Sequence, residues 1–186
     1  MLSRPMTPAG ERLLATASEL FYQRGIHAVG VDLIAELAGT TKKTLYDRFG
    51  SKDNLVALYL RTRFERWRAF VDERLAAVEP GPAQVLAAFD VLAEWLTANT
   101  CGCAFVNANA EIGRSGHPGV AVIHAEKKWM RERYEALVRD AGLPMALGGY
   151  LHLLHEGAIV ARTAGTQEDA VAEAKSAARE LLGTAC

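Results

Sequence analysis

The chain has 186 residues, half of them apolar and 23% charged, with a net charge of −1. That length fits one large domain or two small ones, and the composition is globular rather than disordered. Six Pro and 16 Gly exclude collagen-like and low-complexity chains, three Cys make no disulfide framework, and no apolar run approaches the roughly 20 residues of a membrane span.

Residues 1–5 are not followed by the apolar core of a signal peptide, so a cytoplasmic protein with no membrane partner is expected. Thr7-Pro8 predicts an N-cap followed by Pro at the first helical position. Leu13, Leu14, Ala17, Leu20 and Phe21 follow at helical spacing, and Gly25 stops that helix. A second helix is predicted at 31–38, with Leu33, Ile34 and Leu37 apolar, ending at Gly39. Thr41 caps a third at 42–49, stopped by Gly50. Ser51 caps a long fourth helix whose stripe runs Leu55, Leu58, Tyr59, Phe64, Trp67, Phe70, Val71 and Leu75 until Glu79-Pro80-Gly81-Pro82. Further helices are predicted at 82–98, 103–112, 118–141, 144–164 and 167–182. No alternating β-branched run calls for a sheet, and no internal repeat is visible. The fold class is all-α: a three-helix head, a connecting helix and a larger helical body.

The overall charge hides a local excess. Residues 41–52 hold Lys42, Lys43, Arg48 and Lys52 against a single acid, Asp47. The head also has helix-turn-helix proportions. In that arrangement a helix N-terminus aims N–H groups at phosphate, and its early side chains reach base edges in the major groove. The bland alternative is a small helical hairpin with a basic, solvated face.

The residues favour the first reading. The run from Ile34 to Leu55, IAELAGTTKKTLYDRFGSKDNL, closely resembles the DNA-binding domain of the tetracycline-repressor (TetR/AcrR) family. That family runs Ile-Ala-x-x-Ala-Gly, a small polar cap, Lys, then Thr-Leu-Tyr-x-x-Phe-x-Ser-Lys-x-x-Leu. Leu20-Phe21, Arg24-Gly25 and Ala28 also fall in register, so the match covers about residues 8–60. The resemblance implies a helix-turn-helix DNA-binding domain at 1–50 and a helical effector-binding and dimerisation domain at 51–186. It further implies a double-stranded DNA operator, a small-molecule effector of unspecified identity and a second copy of the chain as partners. A repressor is the commonest role, and no cofactor, metal or catalytic residue is expected.

Carried over residue by residue, the resemblance assigns DNA contacts to Thr41, Lys42, Lys43 and Thr44 at the start of the recognition helix. Tyr46 matches a tyrosine that meets phosphate, Arg48 stands where histidine is common, and Lys52 matches a phosphate-binding lysine. Leu45 and Phe49 match core positions. Three positions depart from the pattern. Val29 and Gly30 replace the usual hydroxyl pair before the second helix, and Asp32 replaces a polar or basic residue. These departures leave the recognition helix to carry more of the affinity.

The body resembles the family in general architecture. Candidate effector contacts are Trp67, Phe89, Trp95, Phe105, Asn107, Glu111, His124 and Trp129, because an apolar cleft with a few polar groups is how small-molecule sites are made. Ordinary core packing is the alternative for each. The last two helices are rich in Ala and Gly, which suits close packing against a twin. Cys101 and Cys103 flank Gly102 at a helix start, where a thiol pKa is open to lowering, so a redox-sensing regulator is an alternative. A helical-bundle metalloenzyme is another, resting on His152, His155 and Glu156 with Glu111 and His124 elsewhere.

Overall fold

A computed structural model describes residues 6–114, 116–165 and 167–183. The expectations for residues 1–5, and the third cysteine, Cys186, lie outside them. The described residues form helices and no strand: α1 (Pro8–Arg24), α2 (Val31–Leu37), α3 (Lys42–Phe49), α4 (Lys52–Leu75), α5 (Pro82–Ala98), α6 (Ala104–Ile112), α7 (Gly119–Asp140), α8 (Ala146–Thr163) and α9 (Ala170–Gly183).

Local chemistry sets these limits. The Thr7 hydroxyl accepts the Gly10 N–H at the start of α1, and Pro8 takes the first helical position. The helix α4 ends earlier than the Glu79-Pro80 breaker predicts. The Gln84 side-chain amide donates to the carbonyls of Leu75 and Val78, at 2.8 and 2.9 Å, and so satisfies two acceptors of the closing turn. The helix α9 starts three residues later than predicted. The Gln167 N–H instead turns back to the Ala161 carbonyl at 3.1 Å, and its own carbonyl accepts from Ala170.

The chain gathers into two compact units, Met1–Phe64 with Ala104–His124, and Glu65–Cys103 with Ala125–Cys186. The sequence division at 50/51 is not where this grouping falls. The first unit extends into α4 and takes in α6 and the start of α7.

In the first unit α1 crosses α2 and α3 on one apolar centre. Leu13, Ala17, Val29, Ile34, Leu45 and Leu55 are fully buried there. Each Leu or Ile so buried contributes about 1.5–3 kcal/mol. Val29 thus has a reason to depart from the family's hydroxyl: its side chain is core. The Arg12 guanidinium ties α1 to the end of α2 by donating to the Ala38 carbonyl at 3.2 Å.

In the second unit α9 packs on α5 and α8 around Phe89, Leu92, Met130, Tyr134, Leu151 and Ala178. Lys175 of α9 forms a fork with both Asp90 oxygens on α5, at 2.6 and 2.7 Å. Gly148 on α8 is a packing residue, since a Cβ there would sit 2.9 Å from the Glu135 backbone.

Candidate nucleic-acid interface

The turn between α2 and α3 is built from the end of α2. Gly39 takes φ +61°, its N–H bonds the Glu36 carbonyl, and the Thr40 N–H bonds the Ala35 carbonyl. This pair of bonds is a Schellman closure, which needs a residue at ease with positive φ. The α3 cap follows at once. Thr41 is extended, and its hydroxyl accepts the Thr44 N–H at 3.1 Å. It also lies 2.9 Å from the Thr44 hydroxyl.

Leu45 and Phe49 anchor α3 in the core, being 0% and 7% exposed. Four residues apart, they fix which face turns inward. Lys42, Lys43, Tyr46 and Arg48 are therefore exposed, and Thr44 is half-buried. Tyr46 is one of the large apolar side chains left in solvent. The α3 N-terminus thus presents a hydroxyl cap, two lysines and a phenol together.

Both lysines have internal anionic partners. Lys42 lies 3.0 Å from Asp32 of α2, and the hydrogen bond to Asp32 raises its pKa. Lys43 lies 3.2 Å from Asp47, one turn along α3. Exposed ion pairs of this kind are screened by solvent and contribute little to stability. Exchanging them for phosphate therefore costs little. The same contact changes the reading of Asp32, whose charge is directed at Lys42.

Lys52 is placed differently from the other candidates. Its ammonium turns inward and donates to the Ile26 carbonyl at 2.7 Å, with the Phe21 ring 6.0 Å away. Burial lowers its pKa, against the opposing pull of Glu111 and Asp53. Glu111, expected as an effector contact, is committed to the same turn. It accepts the backbone N–H groups of Ile26 and His27 at 2.8 and 2.6 Å. Nothing in the spacing of the sequence linked Glu111 to Ile26, 85 residues away.

The remaining effector candidates separate by unit. In the first, Phe105 is buried against Phe64, whereas Asn107 and His124 are exposed. The void beside Asn107 and Glu111 is only about 10 Å³, room for one water at most. In the second, Trp67 stacks with Phe70 and lies 5.0 Å from Trp95, while Phe89 is fully buried against Tyr134. Trp129 is half-buried on the same core.

The same unit holds a polar group that the sequence pattern only half revealed. Lys127 donates to both Glu156 oxygens at 2.8 and 2.9 Å and to the Cys103 sulfur at 3.3 Å. Burial opposes the Lys127 ammonium, yet Cys103, Glu126 and Glu156 hold its pKa above the ordinary value. Burial also opposes the Glu156 carboxylate, but His152 and Lys127 hold its pKa low. His155 is buried with Nδ1 3.0 Å from the Tyr134 hydroxyl, and burial pushes its pKa down to about 3. The metalloenzyme alternative thus finds His155 engaged with a phenol. Among the described residues no three His, Cys, Asp or Glu side chains are grouped as a metal ion requires. Among them, too, no helix is long and apolar enough to cross a membrane.

Residues 13–59 match the family model described as bacterial regulatory proteins, tetR family. A solved TetR-family transcriptional regulator from Streptomyces coelicolor is 30% identical, covers 96% of each chain and superposes with a TM-score of 0.86. A second solved structure, a TetR-type transcriptional regulator from Streptomyces avermitilis, is 27% identical over 93% of this chain and 98% of that one, with a TM-score of 0.75. The HTH-type transcriptional activator FasR of Mycolicibacterium smegmatis is 30% identical over 141 residues, 73% of this chain. The chain spans 63% of the length of that curated relative.

Proposed function

We propose, from the premise that this chain belongs to the tetR family of bacterial regulatory proteins, that it is a DNA-binding transcriptional regulator that reads the major groove with α3. The observation that carries this reading is the exposed start of α3. Thr41, Lys42, Lys43, Thr44 and Tyr46 lie together at a helix N-terminus whose opposite face is locked by Leu45 and Phe49. Lys42, Lys43 and Thr44 reach base edges and adjacent phosphates, and Tyr46 and Arg48 meet the backbone. Lys52 is a phosphate contact only if its bond to Ile26 gives way; otherwise it holds the turn that positions α2 and α3. The test is titration of operator and scrambled duplexes at several salt concentrations, with Lys43→Ala and Lys52→Ala beside the parent.

The regulator acts as a homodimer, in this reading, through α8 and α9. Tyr150, Leu153, Gly157 and Val160 follow one another at helical spacing on α8, all exposed; Tyr150, Leu153 and Val160 retain 54%, 68% and 51% of their accessible surface. A groove of about 520 Å³ runs beside them, floored by Ala158, Ala161, Ala174 and Ala177. A two-fold partner laying the same seam into the same groove buries both. Two heads then meet successive major grooves about 34–36 Å apart.

Release of DNA by a small molecule completes the proposal, with repression as the resting action. The Trp67–Trp95 region, with the His155 ring 6.2 Å from Trp67, is its effector site, offering an aromatic wall with a polar ring beside it. The effector shifts the population only if it binds the two states unequally. Quenching of intrinsic fluorescence by aromatic compounds that also release duplex tests this part. Unchanged affinity in Trp67→Phe and Trp95→Phe contradicts it.

A further inference from the structure

The second unit holds an ion cluster that DNA binding does not need. An ammonium has three hydrogen-bond donors. Lys127 spends two on the oxygens of Glu156 and directs another to the sulfur of Cys103 at 3.3 Å. A purely structural Lys–Glu pair has no use for the thiol. Glu126 adds a second sign. Its side chain is 95% buried, and its Oε2 lies 3.3 Å from the Lys127 ammonium yet in no well-formed hydrogen bond. A buried carboxyl oxygen left without a hydrogen bond is costly unless something arrives to use it. Cys103 itself is half-buried on the edge of the apolar core, whereas Cys101 is exposed.

We propose that Cys103 is a modification site: its thiolate, held by the Lys127 ammonium, is oxidised to a sulfenate by a small neutral hydroperoxide. The thiol first gives its proton to solvent. The sulfur electron pair then attacks the distal peroxide oxygen, the S–O bond forms and the O–O bond breaks. Sulfur loses two electrons and the peroxide gains them. The leaving hydroxide or alkoxide takes the proton carried by the transferred oxygen, directly or through solvent, and departs as water or alcohol. The new sulfenate carries its charge beside Lys127, with Glu126 Oε2 available at the same ammonium. The groups that set the anion's stability are Lys127 and Glu126 of α7 and His152 and Glu156 of α8. The cation stabilises the thiolate, and the carboxylates oppose it. A half-buried sulfur admits a small oxidant and excludes a bulky one.

This site is independent of the DNA reading, because its test is read on the sulfur. The intact protein is treated with stoichiometric hydrogen peroxide, sulfenate is trapped with a cyclic dione, and each cysteine is quantified by mass spectrometry. The rate of alkylation by iodoacetamide is followed against pH for Cys103 and Cys101 in the same sample. Cys103 should be trapped about tenfold faster than Cys101 near neutral pH, with a titration midpoint about one unit or more below that of an ordinary thiol, about 8.5. Lys127→Met should move that midpoint upward and remove most of the advantage, and Lys127→Arg should keep it. Trapping of Cys101 as fast as Cys103 overturns the proposal, as does an unchanged profile in folded Lys127→Met. If Lys127→Met fails to fold, the Cys103-to-Cys101 ratio in the parent and in Lys127→Arg decides: a ratio near one in both rejects the site.

Discussion

Ile26 is held by both of its backbone polar groups: its N–H is bound by Glu111 at 2.8 Å, and its carbonyl by Lys52 at 2.7 Å. A carboxylate from α6 and an ammonium from α4 therefore converge on the turn between α1 and α2. Gly25 makes the approach possible. It sits at φ +86°, and a Cβ there would lie 3.2 Å from the Glu111 carboxylate. The turn fixes the start of α2, and α2 with its Gly39 closure fixes α3.

Glu111→Ala should leave the N–H groups of Ile26 and His27 without their acceptor. A partly buried donor so exposed costs about 1–3 kcal/mol. The expected outcome is a lower denaturation midpoint of that order, with faster amide exchange confined first to the α1–α2 turn. Glu111→Gln should recover part of the loss, since its carbonyl still accepts one N–H. Unchanged exchange at Ile26 and His27 in Glu111→Ala would show that the clamp carries no energy.

The angle of α3 rests on its buried face and its cap. Leu45→Ala should cost about 2–5 kcal/mol as a cavity in a fully packed site. Thr41→Ala should cost about 1 kcal/mol through the lost cap on the Thr44 N–H. Urea denaturation measures both. An equal cost for the two would mean that the α3 anchor is not the core contact seen here.

Replacing Leu153 with Arg should yield monomers in sedimentation without loss of helix content, because the side chain is 68% exposed in the single chain. Ala174 is a poorer probe, although its small size marks the same region. It is 8% exposed, so Ala174→Arg should unfold the second unit rather than split a dimer. A Leu153→Arg protein that sediments like the parent places the interface elsewhere.

Acid should find the second unit through His155. Burial pushes its folded pKa to about 3 against an ordinary 6.5, so the unfolded chain binds the extra proton first. Its contribution is therefore lost as pH falls below about 6.5, at up to about 1.4 kcal/mol per pH unit. Glu156, held low, adds a loss of the same sign below about 4.5; Glu126, pushed up chiefly by burial, acts in the opposite sense. The double variant Tyr134→Phe/His155→Leu removes the pair without orphaning the phenol. Its stability difference from the parent should change steadily between pH 6.5 and 4.5. A constant difference across that window would contradict the assignment.

The head was legible in the sequence because local signals there agree. Thr7, Thr41 and Ser51 are hydroxyl caps at the expected places, each accepting the N–H three residues on. Gly25, Gly39 and Gly50 all take positive φ where a helix must stop. The long-range chemistry was not legible. Glu111 stood out as a polar residue one turn from Asn107, yet its partners lie 84 and 85 residues away. Lys52 matched a motif position, but only the fold shows its ammonium turned to Ile26. Lys127 had no signal at all, since its neighbours Cys103 and Glu156 are 24 and 29 residues distant. The periodicity located each helix and was silent on which side chains meet across them.

The central claim is that α3 reads DNA, and duplex titration of the parent, Lys43→Ala and Lys52→Ala across a salt series tests it most directly. Lys43 forms an exposed pair with Asp47, so Lys43→Ala should leave the fold intact, cost about 1–3 kcal/mol on the operator and relax preference at one base pair. Lys52→Ala should weaken operator and scrambled duplex alike. A salt slope lower by about one unit would mark Lys52 as a phosphate contact; an unchanged slope with lower stability would mark it as the prop under Ile26. A parent protein that binds no duplex at low salt, or a Lys43→Ala variant with parental affinity, slope and base preference, would contradict the account.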